Sequence, residues 1–429
     1  FPAQAENCRC NDPNQCACAK NSDVFKYNKA SYKQRGPLVK KTYMGEYRGQ
    51  DLTRIDVRMM TYDFDKNETR VVERMQYETN AEPFQFSGRT GNSYLIVSPD
   101  NLTNGVEEFV AWKQSMGYEV SVESLSSPNN TKENIQALIR SYYDAGKADF
   151  VVLIGDENSL PMFYVSTAGG SQTPSDLYYF TMGGQGDTIP DVYFSRIGAS
   201  TADAARLELS KSIEFERGDH ANSNGYSKVI GIASNEGSNP SDDEYITDIE
   251  NAFVTEQAMN KTHFAQNSKD STPQNLNATL STGAFWMFYM GHGSGTSWPS
   301  MNKTYNVSDI KNINNANELK PIVIDVACQN GKVESNHLGS NLMSVFEVKP
   351  KGMTAYYGGT VNISWHPPAV MARAMAQAQA KNNFHHLGEV LFAGQMYLTE
   401  NWTDKDDTVD NWEWYVLQGD PGLRVDRAY

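Results

Sequence analysis

From Ser93 onward the hydrophobic positions gather into short unbroken runs: YLIVS (Tyr94 to Ser98), DFVVLIG (Asp149 to Gly155), KVIGIAS (Lys228 to Ser234), AFWMFYM (Ala284 to Met290), PIVIDVA (Pro321 to Ala327) and MTAYYGG (Met353 to Gly359). Runs of this length, rich in β-branched and aromatic residues and bounded by Gly, Asn or Ser, predict strands buried on both faces of a parallel sheet. YEVSVE (Tyr118 to Glu123) and DVYFSR (Asp191 to Arg196) add two more. Between them the spacing predicts helices over Val106 to Met116, stopped by Gly117, over Lys132 to Tyr143, opened by Thr131, and over Thr201 to Arg217 behind a Ser200 cap. Further helices are expected around Thr247 to Met259, over Ala369 to Lys381 and near Leu387 to Tyr397. Strands alternating with helices in this way predict an α/β domain with a mostly parallel sheet flanked by helices, here spanning residues 89–429.

The chain before this domain has a different character. Residues 1–38 are polar and turn-rich and predict an extended arm rich in cysteine. In residues 39–88, Ile55, Val57 and Met59 alternate with polar residues, DFDKNET makes a turn, and RVVERMQYE returns, which predicts a β-hairpin region. An isolated hairpin is marginal, so this one is expected to pack on the α/β domain or to pair with strands from elsewhere.

Composition narrows the functional classes. With 37 basic and 52 acidic residues, the net charge of -15 and the absence of any basic cluster argue against nucleic acid as a partner. No apolar run approaches the roughly 18 residues that a transmembrane helix needs. The chain begins at Phe1 without Met, which fits a processed form. Four of its five cysteines, Cys8, Cys10, Cys16 and Cys18, crowd one short stretch, and the fifth is Cys328. An even cluster plus one leftover suits two disulfides and a free thiol in an oxidising compartment, with zinc binding by the four as the alternative. Nine N-x-S/T triplets, at Asn67, Asn101, Asn129, Asn260, Asn277, Asn302, Asn306, Asn362 and Asn401, point the same way, towards a secreted glycoprotein.

Two of the strand-like runs lead straight into reactive residues, His292 in FYMGHGSGTSW and Cys328 in DVACQNG. In open α/β sheets ligands sit beyond the carboxyl ends of the strands, where both residues fall. A thiol is only a few per cent ionised at neutral pH, so a nucleophilic Cys needs a neighbouring base, and His292 is the candidate. Gly291 and Gly293 let the main chain approach a substrate and aim an N–H at a developing oxyanion, with the Cys328 N–H as a second donor. The bland alternative is an inert core cysteine and a turn histidine.

These segments resemble those around the catalytic His and Cys of the gingipain family of secreted cysteine peptidases. The resemblance covers roughly Gly91 to Val425 and includes SYLIVSPDNL, FVVLIGDENSLP, DVYFSRIGA, IASNEG, SWHPP and QGDPGLRV; the GHGS and DVACQNG pair is its specific part. It implies a caspase-like fold, with Cys328 as nucleophile, His292 as acid/base, Glu236 orienting the imidazole, and Gly293 and Cys328 as oxyanion-hole amides. Trp365 would wall the pocket for the residue before the scissile bond. Aligning IASNEGSNPSDDEYITDIE needs one inserted residue and puts Asp248 where the family places an acid for a basic substrate side chain, with Asp242 or Asp243 as alternatives. The 39–88 region loosely resembles a propeptide, and Arg89 in FSGRTGNSY is a candidate self-processing site. Structural calcium is implied by the resemblance alone, and no catalytic metal is expected.

The reading is a secreted cysteine endopeptidase, a zymogen acting on polypeptides through a thioester acyl-enzyme, preferring Arg or Lys before the scissile bond. A transpeptidase or ligase using the same dyad, and a structural or adhesive glycoprotein retaining a latent peptidase fold, are the alternatives. Oligomeric state is left open.

Overall fold

A computed structural model describes residues 39–63, 66, 68–73, 86, 91–167, 170–184, 186–220, 224–334 and 336–426. The chain divides into two compact units. The smaller comprises the described residues within Phe1–Tyr43 and Leu52–Phe84, the larger those within Met44–Asp51 and Gln85–Tyr429. In the smaller, Met60–Asp63 pairs antiparallel with Glu68–Val71. The return strand beyond Glu73, and the whole Cys-rich arm, lie outside the described residues.

The larger unit is built on two sheets, both mostly parallel as expected. The first has four parallel strands in the order Tyr193–Ile197, Phe150–Ile154, Ser93–Pro99, Glu119–Leu125. The second has six, in the order Asn260–Ala265, Lys228–Ala233, Trp286–Met290, Ile322–Val326, Ala355–Gly359, Tyr415–Gln418, all parallel except the last. Counted along the chain, the second sheet runs 2-1-3-4-5-6, so its order reverses between Lys228–Ala233 and Trp286–Met290.

Both faces of the second sheet are buried, which is why its strands read as unbroken apolar runs. Trp286, Phe288 and Met290 face a core shared with helices Asp242–Gln257, His366–Ala380 and Leu387–Asn401. Met287 and Tyr289, one residue out of phase, face Leu276, Trp298 and Leu342. In the first sheet, Leu95, Val97, Val151 and Leu153 pack on Ile135 and Ile139 of helix Lys132–Asp144.

A fully buried ion cluster ties the two halves together. Lys113, on helix Glu107–Ser115, has its Nζ 2.7 Å from Glu216 Oε1 and 2.6 Å from Asp420 Oδ2. Glu216 lies in the last turn of helix Ala202–Arg217, and Asp420 follows the last strand of the second sheet and accepts the Tyr94 hydroxyl at 3.0 Å. Removing one partner of such a cluster leaves uncompensated buried charge, so Lys113→Met is expected to cost about 3–5 kcal/mol. Urea unfolding at neutral pH checks this; a loss below about 1 kcal/mol would mean the carboxylates find other partners.

Candidate active site

The site follows from strand register. Ala233, Met290 and Val326 are level across three neighbouring strands, so these strands end together at the carboxyl edge of the sheet. Glu236 lies three residues beyond Ala233, His292 two beyond Met290, and Cys328 two beyond Val326. Glu236 and His292 thus flank the point where strand order reverses, the position at which α/β sheets open a crevice.

The loop carrying His292 is pinned by its main chain. His292 N–H donates to Ser300 Oγ at 3.0 Å, and its carbonyl accepts the Tyr289 hydroxyl at 2.7 Å. The imidazole Nε2 sits 3.2 and 3.1 Å from the two oxygens of Glu236, which leaves Nδ1 as the nitrogen for chemistry. Both side chains are about half exposed, at 49% and 46%. Glu236 is itself held, its N–H donating to Ser234 Oγ at 3.0 Å and its carbonyl accepting the Asp242 N–H at 3.1 Å.

Cys328 is a free, half-buried thiol whose sulfur accepts main-chain N–H groups from Ile363 and Gly293. Burial pushes the thiol up from its usual range; the two N–H donors oppose this, and the Asp325 charge adds to it. A Cβ on Gly293 would stand 2.2 Å from Cys328 O, so only glycine lets the His292 and Cys328 loops meet here. An open pocket of about 280 Å³ lies between them, lined by Asp242, His292, Cys328, Ile363, Ser364 and Trp365. Trp365, which precedes helix His366–Ala380, crosses the His292 ring edge-on with centroids 5.2 Å apart and donates its Nε1–H to Asp242 Oδ1 at 3.0 Å.

The acid in this pocket is Asp242, not Asp248. Helix Asp242–Gln257 begins five residues earlier than the apolar spacing predicts, because Ser241 and Glu244 form a capping box. Asp248 therefore sits in the second turn, half exposed, paired with Arg373 at 3.4 Å. Asp242 opens the helix instead, almost wholly buried, with its second oxygen accepting Ser234 Oγ–H at 2.6 Å; burial raises its carboxyl from the usual range, against the pull of these hydrogen bonds. The SDDE signature of that cap is present in the sequence and would have placed it.

Beneath the site, Asp325 was not singled out from the sequence. Its Oδ2 accepts Trp298 Nε1–H at 2.9 Å, Asn330 Nδ2–H at 3.2 Å and the Tyr356 hydroxyl, while Oδ1 is buried without a partner. Desolvation raises this carboxyl to about 6. Among the described residues no group of three or more His, Cys, Asp or Glu side chains is arranged to hold a metal ion, and no helix is long and apolar enough to cross a membrane.

Of the glycosylation triplets, Asn101, Asn129, Asn260, Asn302, Asn306, Asn362 and Asn401 are exposed. Asn277 is a correction: it is buried, and its Nδ2, the atom a glycan would occupy, donates to Asp309 O at 2.9 Å. Arg89, Asn67, Cys8, Cys10, Cys16 and Cys18 lie outside the described residues.

The sequence profile of peptidase family C25 matches residues 87–426. Gingipain R2 of Porphyromonas gingivalis is 26% identical over 348 residues, covering 77% of this chain and 45% of that protein. Gingipain R1 of the same organism is 25% identical over 366 residues, covering 81% of this chain and 36% of that protein. The chain thus spans less than half the length of these relatives. Among solved structures, the Arg-specific cysteine proteinase gingipain R superposes with a TM-score of 0.71 at 23% identity over 80% of each chain. A complex of pro- and mature domains from Porphyromonas gingivalis gives 0.69 at 23% identity, covering 77% of this chain and 79% of that one. These bear out the expected α/β fold, with its mostly parallel strands flanked by helices.

Two measurements test the electrostatics. Because Cys328 is held above the ordinary thiol range, its alkylation by iodoacetamide in the free protein should still be rising beyond pH ~8, without the plateau below about pH 7 of a preformed thiolate–imidazolium pair; a rate already level there would refute it. Asp325, with a folded value above its unfolded one, adds stability that is present at low pH and lost as pH rises through about 6. The stability of the native protein relative to Asp325→Asn should therefore improve by on the order of 2–3 kcal/mol as pH falls from 7 to about 4. Thermal unfolding across that range reads it, and a pH-independent difference would refute it.

Proposed function

We propose, from the premise that the chain belongs to peptidase family C25, that it is a cysteine endopeptidase in which Cys328 attacks the scissile carbonyl. The observation that carries this is that His292 and Cys328, from strand ends in register, line one open pocket, with Glu236 from a third strand end in the same register held on His292 Nε2. As sulfur attacks, its proton passes to His292 Nδ1; Glu236 on Nε2 fixes the tautomer and stabilises the imidazolium. The tetrahedral oxyanion takes the main-chain N–H groups of Gly293 and Cys328. His292 then gives its proton to the leaving amine, and water, deprotonated by the same imidazole, resolves the thioester.

Asp242 supports a preference for Arg or Lys before the scissile bond. Its two oxygens each accept one hydrogen bond, from Trp365 and Ser234, and a carboxylate has about four acceptor sites, so capacity remains for a guanidinium. Trp365 would cover the aliphatic part of that side chain. The pairing of exposed Asn-x-Ser/Thr triplets with a clustered set of cysteines supports secretion.

Fluorogenic peptides varied only in the residue before the scissile bond test this. Cleavage should follow Arg or Lys and fall at least about a thousandfold in Cys328→Ala. Asp242→Asn should lose roughly 30- to 1000-fold on Arg peptides, as expected for one partner of a buried charge pair, while Cys328 still alkylates. Cleavage after uncharged residues would reject the Asp242 assignment, and no cleavage by a protein whose thiol reacts normally would reject the peptidase.

A further inference from the structure

The loop 360–365 closes one side of the pocket. Val361 O accepts the Gln329 N–H at 2.9 Å, Ile363 N–H reaches the Cys328 sulfur, and Ser364 and Trp365 line the pocket. Gln329, immediately after the nucleophile, is a non-glycine residue in the left-handed region, with φ of 64°. Its side-chain Nε2–H donates to Asn362 Oδ1 at 2.7 Å, so the two amides bridge the nucleophile turn and this loop.

Asn362 is therefore positioned by one end of its amide alone. Oδ1 is taken, whereas Nδ2 donates no hydrogen bond to any described residue, and the side chain is exposed. Asn362-Ile363-Ser364 is also one of the N-x-S/T triplets. Buried Asn277, with its Nδ2 committed to Asp309 O, shows the contrast.

We propose that Asn362 carries an N-linked glycan that stands at the rim of the catalytic pocket and sorts substrates by bulk, admitting short flexible peptides and hindering folded proteins. In the transfer, Asn362 Nδ2 loses a proton and bonds to the anomeric carbon of a lipid-diphosphate-linked oligosaccharide, whose carbon–oxygen bond to the diphosphate breaks. Ser364 Oγ donates to Asp407 Oδ1 at 3.3 Å in the folded protein, so modification precedes closure of this loop. The attached sugar keeps the Asn362 carbonyl, and with it the Gln329 bond. Ile363, one residue away, touches the reactive sulfur, so a branched glycan here occupies the approach to Cys328. The sorting of substrates rests on the proposed peptidase activity; the position of the glycan relative to the thiol does not.

The test is made on the full chain secreted from a eukaryotic host. Glycopeptide mass spectrometry should find Asn362 occupied. Iodoacetamide should alkylate Cys328 at the same rate, within about twofold, in the glycosylated protein and in Asn362→Asp, which keeps the acceptor for Gln329 but abolishes the triplet. A maleimide carrying a polyethylene glycol chain of about 5 kDa should react at least about tenfold more slowly with the glycosylated protein, since the glycan is bulky. Endoglycosidase trimming of the unsubstituted chain to a single sugar should restore the faster rate. An unoccupied Asn362, or equal rates for the bulky reagent before and after trimming, would overturn the proposal. Because these readouts follow the thiol and not turnover, they separate its failure from that of the peptidase reading.

Discussion

One carboxylate oxygen aligns the two loops that meet at the pocket. Asp325 Oδ2 takes three donors: Trp298, which follows the His292 turn, Asn330, which follows Cys328, and Tyr356, on the next strand. Three donors converging on one buried oxygen join both loops and the next strand to it. The cost shows in the unpartnered Oδ1 and in a carboxyl raised to about 6. That same charge raises the Cys328 thiol. Burial is the larger cause of that rise, and the Asp325 charge adds to it.

Sheet order decides which residues can share that pocket. Parallel strands in register deliver their following residues to one edge, and the 2-1-3-4-5-6 order puts the loops after Lys228–Ala233, Trp286–Met290 and Ile322–Val326 side by side. The first sheet supplies support rather than chemistry. Gly198, just past its Tyr193–Ile197 strand, packs so closely on Val333 that a Cβ would sit 2.8 Å from Val333 O, bracing the chain that continues from Cys328. Holding the two sheets in this relation is the work of Lys113, Glu216 and Asp420, at the end of the molecule where helices of the first half meet the last strand of the second.

What was legible in the sequence was what burial writes into it. Strands covered on both faces show as apolar runs, and every such run is a strand; His292, Cys328 and Glu236 drew attention because each follows one of them. Edge and surface elements left no such mark. Strand Asn260–Ala265, at the sheet edge, reads NKTHFA because much of it is partly exposed. Helix Lys405–Trp414 carries its acids and aromatics without a clear apolar stripe and was missed. The displaced acid has a sharper cause. Apolar spacing located the body of helix Asp242–Gln257 but not its start, and a five-residue error at a helix start changes which acid opens the helix and which lies a turn and a half along it. Local hydrogen bonding of the Ser241 cap, not hydrophobicity, sets that boundary.

The free protein holds two acids of the pocket under conditions that disfavour charge, since burial raises the Asp242 carboxyl and the Cys328 thiol alike. On the proposed function, a guanidinium entering beside Asp242 returns the interactions that burial removed and draws that carboxyl back to its ionised form. A substrate lacking the cation leaves a buried acid without its partner, and the penalty falls on the wrong substrate instead of being refunded by it. On the same reading Trp365 links the acid to the imidazole, because its indole donates to Asp242 through Nε1 and meets the His292 ring edge-on, so a side chain that shifts the tryptophan also shifts the wall against which the imidazole is oriented.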